Sequence, residues 1–401
     1  MAERPRIGAY FYPHVDPGAD PVRDARAKKN GILRVKNETV GSGYTIGRGI
    51  TSWSDDDPST IARQVELATN YGIGAFFVDA YAGADGGVPT VELQKPLDTI
   101  ARVCNSSSFK FATMCSIKRP PTIIPYSPDE NRQEPGRYFD LTTQTLELMV
   151  DHAAKYWNNP NYLQVNGRPL VGIYGLTPKI IQELSYKNIS NIGYFLSNIS
   201  QKKYRENPFF VAVVQSPILA YEFLQHGFEA TTTYAGLPDF YDSLIQSSSR
   251  PIINWDNLPV FQNHQEQLAR QMLFWESLLL RQGFRFYPSA VVGWDPIRRC
   301  EQGVDPEKAM PLYPYRPRMI STPDVFFRML LEVSSYYARV PWSIDFPLMV
   351  ATFNDVGDGT AALPRLIDGS VDSKNLEAIK RLKNMFDLEK YARTHQGDLR
   401  K

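Results

Sequence analysis

Short apolar runs alternate along this chain with longer segments in which apolar residues recur every three or four positions. The short runs lack the strict alternation of half-buried strands, so they predict strands that are covered on both faces. Eight such strands are predicted, at 7–12, 73–81, 110–116, 169–175, 191–197, 228–234, 284–293 and 346–353.

Segments with helical periodicity separate these strands. The predicted helices lie at 58–71, from about 91, and at 142–157, 178–185, 218–226, 265–282 and 324–337. Strands and helices that alternate in this way favour a parallel sheet, and eight units in 401 residues fit a (β/α)8 TIM barrel with long βα loops. A doubly wound open sheet is the alternative, but no Gly-x-Gly-x-x-Gly sequence follows the first strand. We predict one α/β barrel domain over 1–373 and a charged helical tail over 374–401.

The composition is that of an ordinary globular protein, with 43% hydrophobic and 22% charged residues. A formal net charge of +1 gives no indication of a nucleic-acid partner or of an anionic membrane surface. The N-terminus lacks the apolar segment of a signal peptide, and no apolar run is long enough to span a bilayer. A cytoplasmic location is therefore the default expectation, and secretion is the alternative if a signal peptide has been removed from the sequence. The oligomeric state is left open.

Two carboxylates follow the last predicted strand. Asp355 and Asp358 lie three positions apart in the sequence Asn-Asp-Val-Gly-Asp-Gly, which begins at Asn354. Glycines let the backbone turn sharply and approach a ligand closely. Paired carboxylates at the carboxyl end of a buried strand can supply the acid and the base for cleaving a glycosidic bond. A polar turn that only closes the strand is the alternative, since Asp and Gly are common turn residues.

Aromatic and polar side chains lie at the ends of other predicted strands, where a TIM barrel places its active site. Tyr and Trp can stack on sugar rings, while Asp, Asn, His and Arg can bond hydroxyl groups. The predicted substrate-binding residues are Tyr10, Tyr12, His14, Trp53, Asp79, Tyr81, Tyr174, Tyr234, Trp294, Asp295, Arg298 and Asn354. Structural alternatives remain for each: a strand-end Tyr can be a core aromatic, Asp295 and Arg298 can form an ion pair, and Asp79 can cap a helix.

Other chemistries find less support in the sequence. No His-Glu-x-x-His sequence and no cluster of two His with a carboxylate is present, so neither a metal nor another cofactor is expected. No Gly-x-Ser-x-Gly elbow or phosphate-binding loop is present either. The acidic run 55–57, which precedes Pro58, is more typical of a helix start than of a cation site, because acids and proline favour the first turn.

Five segments resemble, in order along the chain, motifs of the WbsX-like proteins and of glycoside hydrolase family 99. They are 7–13 (IGAYFYP), 44–76 (which ends in YGIGAF), 161–169 (NYLQVNGRP), Gly293-Trp294-Asp295 with Arg298, and 354–360 (NDVGDGT). The last segment resembles the family sequence Asn-Glu-Trp-x-Glu-Gly-Thr. Together the five segments extend over nearly the whole chain.

The resemblance implies a (β/α)8 barrel that processes glycans. In family 99, one Glu of the motif assists the 2-hydroxyl of an α-mannoside as it attacks the anomeric carbon, and an anhydro-sugar forms. The other Glu acts first as acid and then as base. By position, these two roles fall on Asp355 and Asp358. Both are Asp here, so each carboxylate is set back by about one carbon–carbon bond, a displacement to which catalysis is sensitive.

The resemblance favours a retaining, endo-acting glycoside hydrolase whose partner is an α-linked oligosaccharide or polysaccharide such as α-mannan. Three alternatives stay open. The Asn-Asp-x-Gly sequence is also similar to glycoside hydrolase family 71, the α-1,3-glucanases. The two Glu-to-Asp differences are compatible with a glycan-binding barrel that has no catalytic activity. WbsX-like proteins also occur among polysaccharide-assembly genes, which suggests a glycosyltransferase, although no nucleotide-sugar site is evident.

Overall fold

A computed structural model describes residues 6–30, 37–120, 138–214, 220, 223–234, 272–273, 275–277, 283–294, 321–340 and 346–395. The strands in this part of the chain are β1 (Ile7–Phe11), β2 (Ala75–Asp85), β3 (Val88–Glu92), β4 (Lys110–Ser116), β5 (Gln164–Val165), β6 (Arg168–Tyr174), β7 (Phe209–Val214), β8 (Ala230–Thr233), β9 (Phe286–Tyr287), β10 (Ala290–Val291), β11 (Leu348–Ala351), β12 (Arg365–Ile367) and β13 (Ser370–Asp372). The helices are α1 (Pro21–Lys29), α2 (Pro58–Asn70), α3 (Gln94–Cys104), α4 (Thr143–Ala154), α5 (Pro178–Tyr186), α6 (Ile192–Tyr204), α7 (Pro323–Arg339) and α8 (Lys374–His395).

Nine of these strands form a parallel sheet in the order β10, β11, β1, β2, β4, β6, β7, β8, β9. The sheet curves around an interior, because the hydroxyl of Tyr10 on β1 lies 3.0 Å from Thr232 Oγ1 on β8, although these strands are not neighbours. At the two ends of the order, β9 pairs with β8 and β10 pairs with β11, and only residues 288–289 separate β9 from β10. The fold is therefore TIM-barrel-like, as predicted.

The prediction of strands covered on both faces is confirmed by burial. All residues of β1, β7 and β11 are buried, and the helices supply the outer layer. Local chemistry also starts the helices where the sequence indicates. The Asp57 side chain accepts a hydrogen bond of 2.9 Å from the Ser59 amide, and Pro58 occupies the first position of α2. The carboxyl ends of the strands consequently meet at one end of the sheet, together with the loops that follow them.

One predicted strand is wrong. Residues 192–197 form the first part of helix α6, and the corresponding strand is β7, which begins after this helix at Phe209. Asn191 caps this helix through a 3.1 Å bond from the Tyr194 amide, and the buried Ile192, Leu196 and Ile199 recur at helical spacing. The seventh predicted strand is divided into β9 and β10, and the second extends to Asp85. Asp79 therefore lies inside a strand and does not cap a helix.

The helix predicted from Lys374 onward is present as α8. Its residues Leu376, Ile379 and Leu382 are buried, and the Arg381 guanidinium lies 3.9 Å from the centre of the Phe327 ring of α7. The division of the chain at residue 373 stays a prediction. Much of the two predicted helices at 218–226 and 265–282 lies outside the described residues. Within the described part of the chain, no helix is both long enough and apolar enough to cross a membrane.

Candidate active site

The ends of β1 and β11 are tied together by one asparagine. The Asn354 side chain accepts a 2.9 Å hydrogen bond from the Tyr12 amide and donates one of 2.9 Å to the Tyr12 carbonyl. It also donates to Gln64 Oε1 at 3.3 Å. Asn354 is fully buried, so these bonds satisfy its amide inside the protein. Asn354 therefore fixes the two neighbouring strand ends relative to each other, and the predicted residues that follow both strands are held in one place.

Asp355 is buried and accepts hydrogen bonds on both carboxylate oxygens. The Tyr234 hydroxyl donates to Oδ2 at 2.9 Å, and the Asp358 amide donates to Oδ1 at 3.2 Å. The Asp355 amide in turn donates to Thr352 Oγ1 at 2.9 Å. Donors directed at both oxygens stabilise the ionised form of a carboxyl group. These two bonds favour the ionised form of Asp355, and Asp358 belongs to the same short turn.

Three tyrosines surround this carboxylate. The ring of Tyr234 lies 5.0 Å from that of Tyr10 and 5.3 Å from that of Tyr174, measured between ring centres. Burial raises the pKa of the Tyr234 hydroxyl well above its usual value, and the charge of Asp355 raises it further. A tyrosine with so high a pKa stays protonated and donates its hydrogen. The three rings come from the ends of β1, β6 and β8 and together form an aromatic wall.

Asp79 and Tyr81 lie on the same side of β2, two residues apart. The Tyr81 hydroxyl donates a 2.8 Å hydrogen bond to Asp79 Oδ2. Burial raises the pKa of the Asp79 carboxyl well above its usual range, and the charge of Asp355 raises it further. Asp79 and Asp355 therefore interact electrostatically although Asp79 lies on β2 and Asp355 follows β11, which indicates that both lie at the same end of the sheet.

His14 and Trp53 extend the site along the loop after β1. His14 Nε2 donates a 2.7 Å hydrogen bond to the Asn354 carbonyl, and its ring meets that of Trp53 edge-on, with 6.2 Å between centres. Both side chains are buried. Trp294 is also buried, just after β10, whereas Asp295 and Arg298 lie outside the described residues.

Three polar atoms at these strand ends are buried without a hydrogen-bond partner in the described part of the chain: Trp53 Nε1, Asp79 Oδ1 and Ser116 Oγ. Ser116 ends β4, which pairs with β2 and β6, and no sequence pattern indicated it as a site residue. Buried polar atoms usually have partners, so unpaired ones call for an explanation. Hydroxyl groups of a bound ligand would provide such partners.

Glu38 is a site residue that the sequence did not indicate. Its carboxylate is buried, and Oε2 lies 3.8 Å from His14 Nδ1. The same carboxylate lies against the turn between Asp355 and Asp358, because a Cβ added to Gly357 would meet Glu38 Oε2 at 2.2 Å. Glycine is required at position 357 for this close approach, and a third carboxylate thus supports the motif.

Asp55 was assigned to a helix start, but it also belongs to the site. Its Oδ2 accepts a 2.8 Å hydrogen bond from the His14 amide, and its Oδ1 accepts one of 2.5 Å from the Gln64 side chain. Since Gln64 also contacts Asn354, Asp55 links the loop after β1 to the end of β11. The only indication in the sequence is that the run 55–57 holds more acids than a helix start needs, because Asp57 alone caps α2.

The stability of the protein is expected to fall as the pH rises from about 4 to about 6, because of Asp55. Burial raises the pKa of this carboxyl from 3.8 to about 6. In that window the folded chain therefore binds a proton that the unfolded chain has lost, and the stabilisation present at lower pH disappears. Urea unfolding at pH 4.5 and pH 7 measures the effect. Asp55→Asn should make the difference between the two pH values smaller, and an unchanged difference would contradict the assignment.

Comparisons with known proteins agree with the fold. No protein-family model matches the chain, and no curated protein matches it. Among solved structures, the chain is similar to the GH99 endo-alpha-mannosidase from Bacteroides thetaiotaomicron in complex with bis-tris propane, with a TM-score of 0.56 and 12% identity over 96% of this chain and 98% of that one. Another structure of that enzyme gives a TM-score of 0.53 and 13% identity over 96% and 99%. At such identity the likeness concerns the fold.

The arrangement can perform proton transfer next to an aromatic surface. It combines Asp355, which accepts hydrogen bonds on both oxygens, with Asp79, whose pKa burial raises, and with the neighbouring rings of Tyr10 and Tyr234. Within the described residues, no group of three or more His, Cys, Asp or Glu side chains could hold a metal ion. The chemistry that this geometry supports is general acid–base catalysis on a neutral polar ligand.

Proposed function

We propose that the protein is a glycoside hydrolase that cleaves an α-linked polysaccharide or glycan, such as an α-mannan, within the chain and with retention. The carboxylate pair that follows β11, Asp355 and Asp358, is the centre of this proposal. The observation that carries it is the state of Asp355, a buried carboxylate that accepts hydrogen bonds on both oxygens at the end of a barrel strand. Active sites of TIM-barrel enzymes lie at these strand ends.

Asp355 is suited to remove a proton from a hydroxyl group. In the reaction that the family 99 resemblance implies, that hydroxyl is the 2-hydroxyl of the sugar, which attacks its own anomeric carbon. The tyrosine rings of Tyr10, Tyr174 and Tyr234 would contact the apolar face of the sugar, and the unpaired Trp53 Nε1 would donate to a sugar oxygen.

The fold similarity supports the same conclusion. Two solved structures to which the chain is similar at a TM-score above 0.5 are of an endo-alpha-mannosidase. We also infer that the six-residue segment containing β9 and β10 acts as one barrel strand, which bonds β8 on one side and β11 on the other. The ring then has eight strands and is a (β/α)8 barrel.

A glycan-binding barrel without catalysis is the second candidate. It is favoured by the chemistry of the motif, because Asp at both positions 355 and 358 places each carboxylate closer to the backbone than Glu would. If the reacting bond lies beyond their reach, the aromatic wall and the unpaired polar atoms would still bind a sugar.

The experiment that tests the proposal is a screen of the purified protein against α-mannans, α-1,3-glucan and bacterial surface polysaccharides. Release of reducing ends by the wild-type protein is expected, and Asp387→Asn, an exposed carboxylate on α8, should not change it. Saturable binding without release would favour the glycan-binding barrel. Thermal stabilisation by a nucleotide sugar, with no release, would favour a glycosyltransferase.

A further inference from the structure

Asp79 has a free oxygen at the centre of the site. The side chain is 4% exposed, and Tyr81 occupies Oδ2 with a 2.8 Å hydrogen bond. In the described part of the chain, Oδ1 has no hydrogen-bond partner. A buried carboxyl group with one unused oxygen is costly to keep ionised, since burial removes the water that would solvate the charge. A proton on Asp79 would therefore be carried by Oδ1.

The groups that face Asp79 come from four strands. Tyr81 lies on its own strand, Tyr10 on β1, Tyr234 after β8 and Asp355 after β11. The charge of Asp79 raises the pKa of each of the three tyrosines, and the charge of Asp355 raises the pKa of Asp79. In the described part of the chain, no cation is among these neighbours, and only the hydrogen bond from Tyr81 favours ionisation of Asp79.

Asp79 and Asp355 consequently differ in protonation state. Asp355 receives donors on both oxygens, which favours its ionised form, whereas Asp79 receives one donor, and the charge of Asp355 disfavours its ionisation. Two carboxyl groups whose surroundings favour opposite protonation states are the usual arrangement of an acid and a base in one active site.

We propose that Asp79 is the general acid of the reaction and that it protonates the glycosidic oxygen from Oδ1 while Asp355 acts as the base. This assignment rests on the proposed function and makes it more specific. Asp358 then acts as a positioning residue, since its amide donates to Asp355 Oδ1 and so orients the base.

The protons balance over two steps. In the first step, the bond between the anomeric carbon and the glycosidic oxygen breaks, and its electron pair stays on that oxygen, which takes the proton of Asp79. The oxygen of the attacking sugar hydroxyl forms a bond to the anomeric carbon, and Asp355 takes the proton of that hydroxyl. In the second step, water adds to the anomeric carbon and gives a proton to the Asp79 carboxylate. The bond between the anomeric carbon and the attacking sugar oxygen breaks, Asp355 returns its proton to that oxygen, and both residues regain their starting states.

The test compares Asp79→Asn, Asp358→Asn and Asp355→Asn on two substrates of the same sugar. One is the glycan that the wild-type protein cleaves, and the other is a synthetic glycoside whose leaving group needs no protonation, such as a dinitrophenyl glycoside. Asparagine at 79 still accepts the Tyr81 hydrogen bond but has no proton to give. We expect Asp79→Asn to lower kcat on the glycan by about 10²-fold or more and to release the leaving group of the activated glycoside in the first turnover nearly as fast as the wild-type protein, because only that step needs no proton from residue 79.

Three results would overturn the assignment. Asp79→Asn could cleave the glycan as fast as the wild-type protein, it could lose the first turnover on both substrates equally while its thermal unfolding is unchanged, or Asp358→Asn could be the variant that keeps only the first turnover on the activated substrate. If the wild-type protein cleaves neither substrate, the proposed function itself fails, so the two failures are distinguishable.

A second variant covers the case in which Asp79→Asn does not fold. Tyr81→Phe leaves Asp79 in place and removes the hydrogen bond that favours its ionised form. Asp79 should then keep its proton to higher pH. The pH at which kcat falls on the alkaline side of its pH profile should therefore rise. If kcat of Tyr81→Phe falls at the same alkaline pH as kcat of the wild-type protein, the proton comes from another group.

Discussion

Asp355→Asn is expected to lower glycan cleavage on the order of 10³-fold or more, on natural and activated substrates alike. The amide that replaces the carboxylate cannot take a proton from the attacking hydroxyl. The surroundings can accommodate it, because its oxygen can accept from the Asp358 amide while the Tyr234 hydroxyl rotates and accepts from its nitrogen. The loss should therefore appear in kcat rather than in the fold.

The measurement is the rate of reducing-end release over a range of glycan concentrations, together with thermal unfolding of each protein. Asp387→Asn is the matched control, since it makes the same chemical change on the exposed face of α8. Wild-type turnover by Asp355→Asn would remove this carboxylate from the mechanism. An equally large loss in the control variant would show that the assay responds to something other than the site.

The strand-end residues could be predicted from the sequence because the sequence pattern defines where buried strands stop. Once the chain is taken as a TIM barrel, every such end lies at the same face, so Tyr12, Asp79, Tyr234 and Asn354 are expected near one another. The structure places them as expected through the contacts that Asn354 and Asp355 make. Topology alone was sufficient to predict that these residues lie together, and their role in a site stays a prediction.

Glu38 and Asp55 could not be found in this way. Both lie in the long loop after β1, where no periodicity assigns a side chain to a face, and their partners are far away in sequence: Glu38 lies against Gly357, and Asp55 bonds Gln64 of α2. Acidic loop residues are usually exposed, so their burial depends on tertiary contacts that a single sequence does not display. The protonation of Asp79 was hidden for the same reason, since it depends on burial and on a charge from another strand.

The incorrect fifth strand has a different cause. Residues 191–197 are apolar enough for a buried strand, and a short apolar run is compatible with either a strand or a helix. The decisive signal is the asparagine cap at Asn191 together with apolar positions that continue to Ile199 at helical spacing. The true strand, β7, is a continuous run of β-branched and aromatic residues with alanine, FFVAVV, which is typical of a strand covered on both faces.

Gly357→Ala is expected to lower kcat by about 10²-fold, because the turn that carries Asp355 and Asp358 cannot keep its position. A Cβ at this residue would lie 2.2 Å from Glu38 Oε2 and 2.5 Å from Glu38 Cδ, so either the turn or the Glu38 carboxylate must move. Glu38 has little freedom to do so, since its side chain is 3% exposed and lies against His14. The backbone conformation at Gly357 is not left-handed, so the steric contact is the reason for the expected loss.

The double variant Glu38→Ala/Gly357→Ala separates this contact from other effects. Removing the carboxylate makes room for the new methyl group, so the second substitution should cost much less activity in the Glu38→Ala protein than in the wild-type protein. The kcat values of the wild-type protein, the two single variants and the double variant give the coupling free energy between residues 38 and 357. We expect roughly 0.5–3 kcal/mol, the range for residues in contact. If Gly357→Ala costs the same in both backgrounds, the turn is not supported by Glu38. If it costs nothing in either, the position of the turn does not limit catalysis, and the reaction needs less accurate placement of Asp355 than its hydrogen bonds suggest.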